Sequence, residues 1–111
     1  MLIVDVGEDF YHRLTNRNKE QGDGKHTAVD FREKYLSDLD DKNAWVNDDV
    51  FIELDFSNVT KIGPSFANEA FAYFTQYASP EKILKKISIK NATVLQKMII
   101  KEELESAVKN K

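Results

Sequence analysis

The stretch Val50-Phe51-Ile52-Glu53-Leu54-Asp55-Phe56-Ser57, leading through Val59 and Ile62 into Gly63-Pro64-Ser65-Phe66, decides the fold. Ile52, Leu54 and Phe56 alternate with Glu53 and Asp55, which is the period of a strand. Val50 and Phe51 add the apolar weight of an interior strand covered on at least one face by helices. Gly63-Pro64 then starts a helix, because a proline at the first helical position gives up only an N–H that would lack a partner anyway. Phe66, Ala70, Phe74 and Tyr77, with Ala67 and Phe71 beside them, form one broad apolar face. That helix is expected to run to about Tyr77, and Ser79-Pro80 to end it.

Working outward, residues 2–6 are short, apolar and β-branched and read as an opening strand. Residues 15–25 are polar throughout, with Gly22 and Gly24 flanking Asp23, and read as a mobile loop. Thr27 can cap the next helix, with Asp30 at the capping-box spacing, and Phe31, Tyr35, Leu36 and Leu39 share one stripe. Residues 38–49 are acidic and polar around Trp45 and read as a second loop. Lys86-Ile87-Ser88-Ile89-Lys90 alternates as a third strand. Asn91 or Thr93 then caps a last helix, expected to turn Val94, Leu95, Met98 and Ile99 inward and to continue through Leu104 and Val108. This β, loop, α, β, α, β, α order predicts an α/β domain. The expected architecture is a mixed, mostly parallel sheet of about four strands with helices packed on it, one domain over residues 1–111.

Composition narrows the function. No cysteine is present, which removes disulfides, thiol nucleophiles and thiolate metal sites and suits a reducing compartment. The first residues carry Asp5 and no basic flank, unlike a secretory signal, and no apolar run approaches the roughly 18 residues that span a bilayer. A cytoplasmic protein without a membrane partner is expected. The net charge of −3 conceals an asymmetry, since residues 81–111 hold eight Lys and four Glu while the acidic residues crowd the first 80. Such a molecule can be steered towards a charged partner, although lysines on a terminal helix are ordinarily a solvated face. Nucleic-acid binding would also want arginines and interleaved aromatics, and residues 81–111 contain no Arg, Phe, Tyr or Trp.

Catalytic signals are sparse. His12 and His26 lie in or beside the polar loop with no metal-ligand spacing, so no metal is expected. No phosphate-cradling glycine motif occurs among the four glycines, and no cofactor is called for. Asp55 with Glu69 is the only imaginable acid/base pair, and two acidic residues on an α/β domain are commonplace. The turn at Gly63-Pro64-Ser65 is more informative. A helix start offers unpaired N–H groups and the positive end of the dipole, so a phosphate added to Ser65 would be stabilised there. The plainer account is that Ser65 helps cap the turn.

The stretch from Leu54 to Phe74 resembles the STAS-like family of unknown function (DUF4325). The resemblance rests on Asp55-Phe56, on Val59, and on Ser65-Phe66-Ala67-Asn68-Glu69-Ala70-Phe71 opening a helix. Upstream, Gly24 followed by Phe31-Arg32-Glu33 and Leu36 is similar to the family's glycine and Phe-Arg helix, with Thr27-Ala28 where Ser-Gly is frequent. The similarity spans roughly residues 20–91. It implies a fold related to the STAS domains of anti-sigma-factor antagonists, which are switched by serine phosphorylation by a histidine-kinase-like ATP-binding protein. Laid on this chain, their Asp-Ser-Ser turn falls on Gly63, Pro64 and Ser65. The acceptor position is Pro64, which cannot be phosphorylated, and Ser65 keeps a hydroxyl beside it. By residue physics, Phe66, Ala70 and Phe71 belong in the core, and Glu69 is expected to reach Arg32 in a salt bridge joining two helices.

These readings converge on a non-catalytic regulatory module. It would dock a protein partner, for which a histidine-kinase-like ATPase is the leading expectation, through Gly63, Pro64, Ser65, Asn68 and Glu69. Ser65 is the phosphorylation candidate, and the loop between Arg17 and Lys25 a candidate neighbour of the surface. Phe31, Arg32, Asp55, Phe66 and Phe71 are the structural residues of the motif. Two alternatives stand beside this: a nucleotide-binding or enzymatic domain using Asp55, Ser65 and Glu69, and a nucleic-acid accessory protein using the C-terminal lysines. The aromatic-rich second helix leaves a homo-oligomer open.

Overall fold

The computed structural model describes residues 2–17 and 25–110. Gly24 and residues 18–24 of the polar stretch lie outside them. The central sheet has three strands, β1 (Leu2–Asp5), β3 (Ile52–Asp55) and β5 (Ile87–Lys90), in the order β1-β3-β5 and parallel throughout. The α/β architecture with a parallel sheet and helices packed on it is as expected, and the further strands form a separate two-stranded ribbon that pairs β2 (Arg13–Leu14) with β4 (Lys61–Ile62), also in parallel. Both strands of the ribbon are two residues long, too brief to show a period in the sequence.

Register explains the burial. Leu2, Ile52 and Ile87 are aligned, as are Val4, Leu54 and Ile89, so β-branched and aliphatic side chains from all three strands line one face. Ile52, Leu54 and Ile87 are fully buried there. The opposite face carries Ile3, Glu53 and Ser88 in one row, with Ile3 60% exposed on the edge strand and Glu53 and Ser88 half-buried.

After β1 the chain makes a single helical turn, α1 (Val6–Asp9), capped by the Asp5 carboxylate accepting from the Glu8 N–H at 3.2 Å. Helix α2 (Ala28–Tyr35) starts as the sequence predicts, with Thr27 Oγ1 accepting from the Asp30 N–H. The acidic loop holds two 3-10 turns, and Trp45 is buried there with its indole N–H donating to the Leu39 carbonyl at 2.9 Å.

Helix α3 (Pro64–Ala70) is shorter than expected and passes into a 3-10 helix over Ala72–Gln76. In a 3-10 helix residues three apart eclipse. Phe71, Phe74 and Tyr77 therefore follow one line, which buries both phenylalanines completely and leaves the Tyr77 hydroxyl outside. Ser79-Pro80 ends nothing: Ser79 caps α4 (Pro80–Lys86), accepting from the Lys82 N–H, with Pro80 at the first helical position.

Helix α5 (Val94–Lys109) begins with a full capping box between Thr93 and Gln96. Its inward face is corrected by the structure. Gln96, Ile100 and Leu104 are buried, whereas Val94, Leu95 and Met98 are 77%, 65% and 49% exposed and Val108 is 43% exposed. The Gln96 amide reaches the Val59 carbonyl at 3.2 Å, and that bond sets the rotation of the helix. Helix α3 packs between α2 and α5 over the sheet, so every element feeds one hydrophobic core. Among the described residues no helix is long and apolar enough to cross a membrane.

Candidate functional site

Strand β4 delivers the chain to the turn. Ile62 is buried, Lys61 and Ile62 pair with Arg13 and Leu14, and the Gly63 N–H donates to the Leu14 carbonyl at 2.8 Å. Gly63 remains extended (φ −102°, ψ 162°) and caps α3 through its backbone alone, with no side chain closing the helix start. Pro64 and Ser65 follow as exposed residues, and Phe66 and Ala67 directly behind them are fully buried. The core therefore fixes the turn from behind and turns Pro64 and Ser65 outward.

Asn68 and Glu69, one turn further along, are half-buried and already engaged. Asn68 Oδ1 accepts from Arg17 Nη1 at 3.3 Å. Glu69 forms the expected pair with Arg32: Nη2 lies 3.3 Å from Oε2, and Nε also donates to the Glu69 backbone carbonyl at 3.2 Å. The Arg32 guanidinium carbon lies over the Tyr73 ring, 3.7 Å from its centroid. Arg32 thus ties α2 to both α3 and the 3-10 segment that follows it.

Tyr73 extends this assembly to a residue that sequence reasoning did not single out. Its hydroxyl donates to Asp40 at 2.9–3.0 Å, and the Tyr77 hydroxyl donates to Asp40 Oδ1 at 2.6 Å. Hydrogen bonds from Tyr77 and Tyr73, helped by the Arg32 charge, hold the Asp40 carboxyl below its ordinary value. The same bonds raise both phenols, Tyr77 to about 12. The signal that could have found this site was the polar tip of two half-buried tyrosines four residues apart, each needing an acceptor, with Asp40 in the acidic loop to supply one.

Asp55 stands elsewhere, at the carboxyl end of β3. Its Oδ1 accepts from Asn91 Nδ2 at 3.0 Å and from the Ser57 N–H at 2.9 Å, and these bonds lower its pKa. Asp55 and Glu69 thus have separate partners, Asp55 closing the turn at Ser57 and Glu69 joining α3 to Arg32 of α2. Phe31, Phe66 and Phe71 are core residues as expected. His12 is exposed, and His26, at φ 60°, stacks on Tyr11 at 4.2 Å. No group of three metal-ligating side chains occurs among the described residues.

Comparison with curated proteins and with solved structures finds no match to the chain. The profile of the STAS-like domain of unknown function (DUF4325) matches residues 40–97. That span begins downstream of Phe31 and Arg32, contains β3, β4, α3, α4 and β5, and ends in the first turn of α5. It covers more than half of the chain and includes the whole turn at residues 63–69, so the chain belongs to the STAS-like family of unknown function.

Proposed function

We propose that this protein is a non-catalytic regulatory module that binds a protein partner through the exposed turn at Gly63, Pro64 and Ser65, shaped from behind by Asn68 and Glu69. One observation carries the reading. The core presents Pro64 and Ser65 to solvent, while the polar side chains behind them are held by Arg17 and Arg32. Carboxylates and amides bound in this way define a surface rather than move protons. By analogy with the antagonists that share the fold, the partner is an ATP-binding protein of the histidine-kinase-like class, met in the cytoplasm. Pro64 occupies the position of their phospho-acceptor, so a phosphate-dependent switch in this chain runs through Ser65. There the added charge meets the positive end of α3 and alters the face offered to the partner.

The test is affinity capture from lysate of the native host, with and without ATP, using wild-type and Ser65→Asp baits. Retention of one ATP-binding protein by the wild type and its loss by Ser65→Asp is the expected result. Equal retention by both baits removes the turn from the interface, and no specific retention under either condition removes the docking reading. A rise in melting temperature with nucleotide alone would instead favour the ligand-binding alternative.

A further inference from the structure

Helix α5 carries a second surface that uses none of residues 63–69. Between α4, β5 and α5 lies a hollow of about 210 Å³ floored by Leu84, Ile89 and Ile100 and rimmed by Lys97 and Lys101. An adjoining hollow of about 490 Å³ shares Leu84 and Lys101 and continues to Pro80, Glu81 and Glu105. The two form one open groove along the helix pair. The aliphatic floor of the groove is confined to the first hollow, which has room for one or two aliphatic side chains.

The lysine rim is bordered on its other side by the exposed Val94, Leu95 and Met98. Val94 and Met98 are four apart, as are Lys97 and Lys101, and Val94–Lys97 and Met98–Lys101 are i, i+3 neighbours, so an apolar ridge and a basic row run side by side. The surface therefore reads apolar floor, basic row, apolar ridge. Exposed apolar side chains grouped beside a groove mark an interaction site more often than a solvated face. Lys101 also lies 3.9 Å from Glu105, an exposed pair of little strength, so the Glu105 end of the groove is charge-balanced and the Lys97 end is not.

We infer that this groove binds an amphipathic segment of a partner protein, with aliphatic side chains seated on Leu84, Ile89 and Ile100 and carboxylates over Lys97 and Lys101. Charge complementarity selects an acidic segment. Concavity selects a peptide over a membrane surface, since the aliphatic floor is recessed behind the lysines.

The experiment pans a random 12-residue peptide library on the intact immobilised protein. Enriched peptides are then measured by fluorescence anisotropy and by backbone amide shift mapping. The expected result is enrichment of peptides with two apolar residues three or four apart beside Asp or Glu, with shifts confined to α4, β5 and α5. A Lys97→Glu/Lys101→Glu variant should weaken them about ten-fold or more, with affinity falling as salt rises. Val94→Ser/Met98→Ser changes only exposed positions and should weaken them while leaving the melting temperature unchanged. Enrichment of basic peptides, no enrichment, or shifts outside these elements would overturn the inference. So would binding to phosphatidylserine vesicles in place of peptides, or self-association in sedimentation that Lys97→Glu/Lys101→Glu abolishes.

Discussion

Gly7 sits in the first turn after β1, where its α-carbon faces the backbone of Asn58, and a methyl group added there would overlap the Asn58 carbonyl. The obstacle cannot simply move aside, because Asn58 Nδ2 donates to Asp5 Oδ2 at 2.8 Å and Asp5 also caps α1. Gly7→Ala is therefore expected to cost about 1–3 kcal/mol, as overpacking against a fixed neighbour does, and chemical denaturation with an unchanged m-value would check it. Ser65→Ala is the matching control, since Ser65 is exposed and a surface change of this kind stays within about 0.5 kcal/mol. Loss of partner binding by Ser65→Ala without loss of stability would thus assign Ser65 to the interface. The Glu69–Arg32 pair could be anticipated because a lone carboxylate on an apolar helix needs a cation, and one lay on the preceding helix. The need for glycine at position 7 could not, because it arises from a segment some fifty residues away in sequence.

At the scale of elements, local rules did well wherever a side chain acts on its own backbone. Thr27 and Thr93 cap helices as expected, by accepting from the N–H three residues on, whereas Ser79 does the same for α4 where Ser79-Pro80 reads as a stop. The Thr93 cap invites a direct test. Thr93→Ala removes both the acceptor for Gln96 N–H and the geometry that returns Gln96 Oε1 to the Thr93 N–H at 2.9 Å. A loss of about 1 kcal/mol is expected, with faster amide exchange in the first turn of α5, whereas Thr93→Ser keeps the capping oxygen and should leave stability unchanged. The starts of α2 and α5 are legible for this reason, the start of α3 from Pro64 at its first position, and the three main strands from their apolar alternation. The inward face of α5 was not, because its apolar residues nearly encircle its first two turns and only tertiary contacts choose among them. Gln96 wins a buried place by bonding the Val59 carbonyl, and Val94, Leu95 and Met98 are turned outward as a consequence. Lys86 is hidden in the same way: it closes α4 rather than opening β5 and is 4% exposed, with its ammonium donating to Asn47 Oδ1 and the Asp49 carbonyl, a bond set that alternation along residues 86–90 does not reveal.

Across the whole molecule, one polar assembly staples the exit of α2 to the segment that follows α3. Arg32 bonds Glu69 and lies on Tyr73, while Tyr73 and Tyr77 both donate to Asp40. Its pH dependence follows from the direction of each shift. Tyr77 is raised from 10.0 to about 12 because its proton is shared with Asp40, so the folded state keeps a proton that the unfolded chain releases. The stabilisation is fully present below pH 10 and is lost as pH rises towards 12. Asp40 behaves oppositely: its carboxyl is lowered by Tyr77 and Tyr73, so its contribution is present above the ordinary carboxylate value of 3.8 and is lost as acid protonates the folded form. Tyr77→Phe should therefore flatten the decline of melting temperature between neutral and strongly alkaline pH. It should also remove the highest-pH component of the tyrosinate absorbance titration, because no tyrosine would then donate to Asp40 at 2.6 Å. Asp40→Asn is the complementary variant: it leaves both hydroxyls in place but takes away the charge that retains their protons. It should move the Tyr77 titration back towards the ordinary phenol value and flatten the alkaline decline at least as much as Tyr77→Phe, since Tyr73 loses the same partner. If Tyr77→Phe flattens the alkaline limb and Asp40→Asn does not, the Tyr77 proton is held by something other than this carboxylate, and the coupling between the two ends of the staple fails.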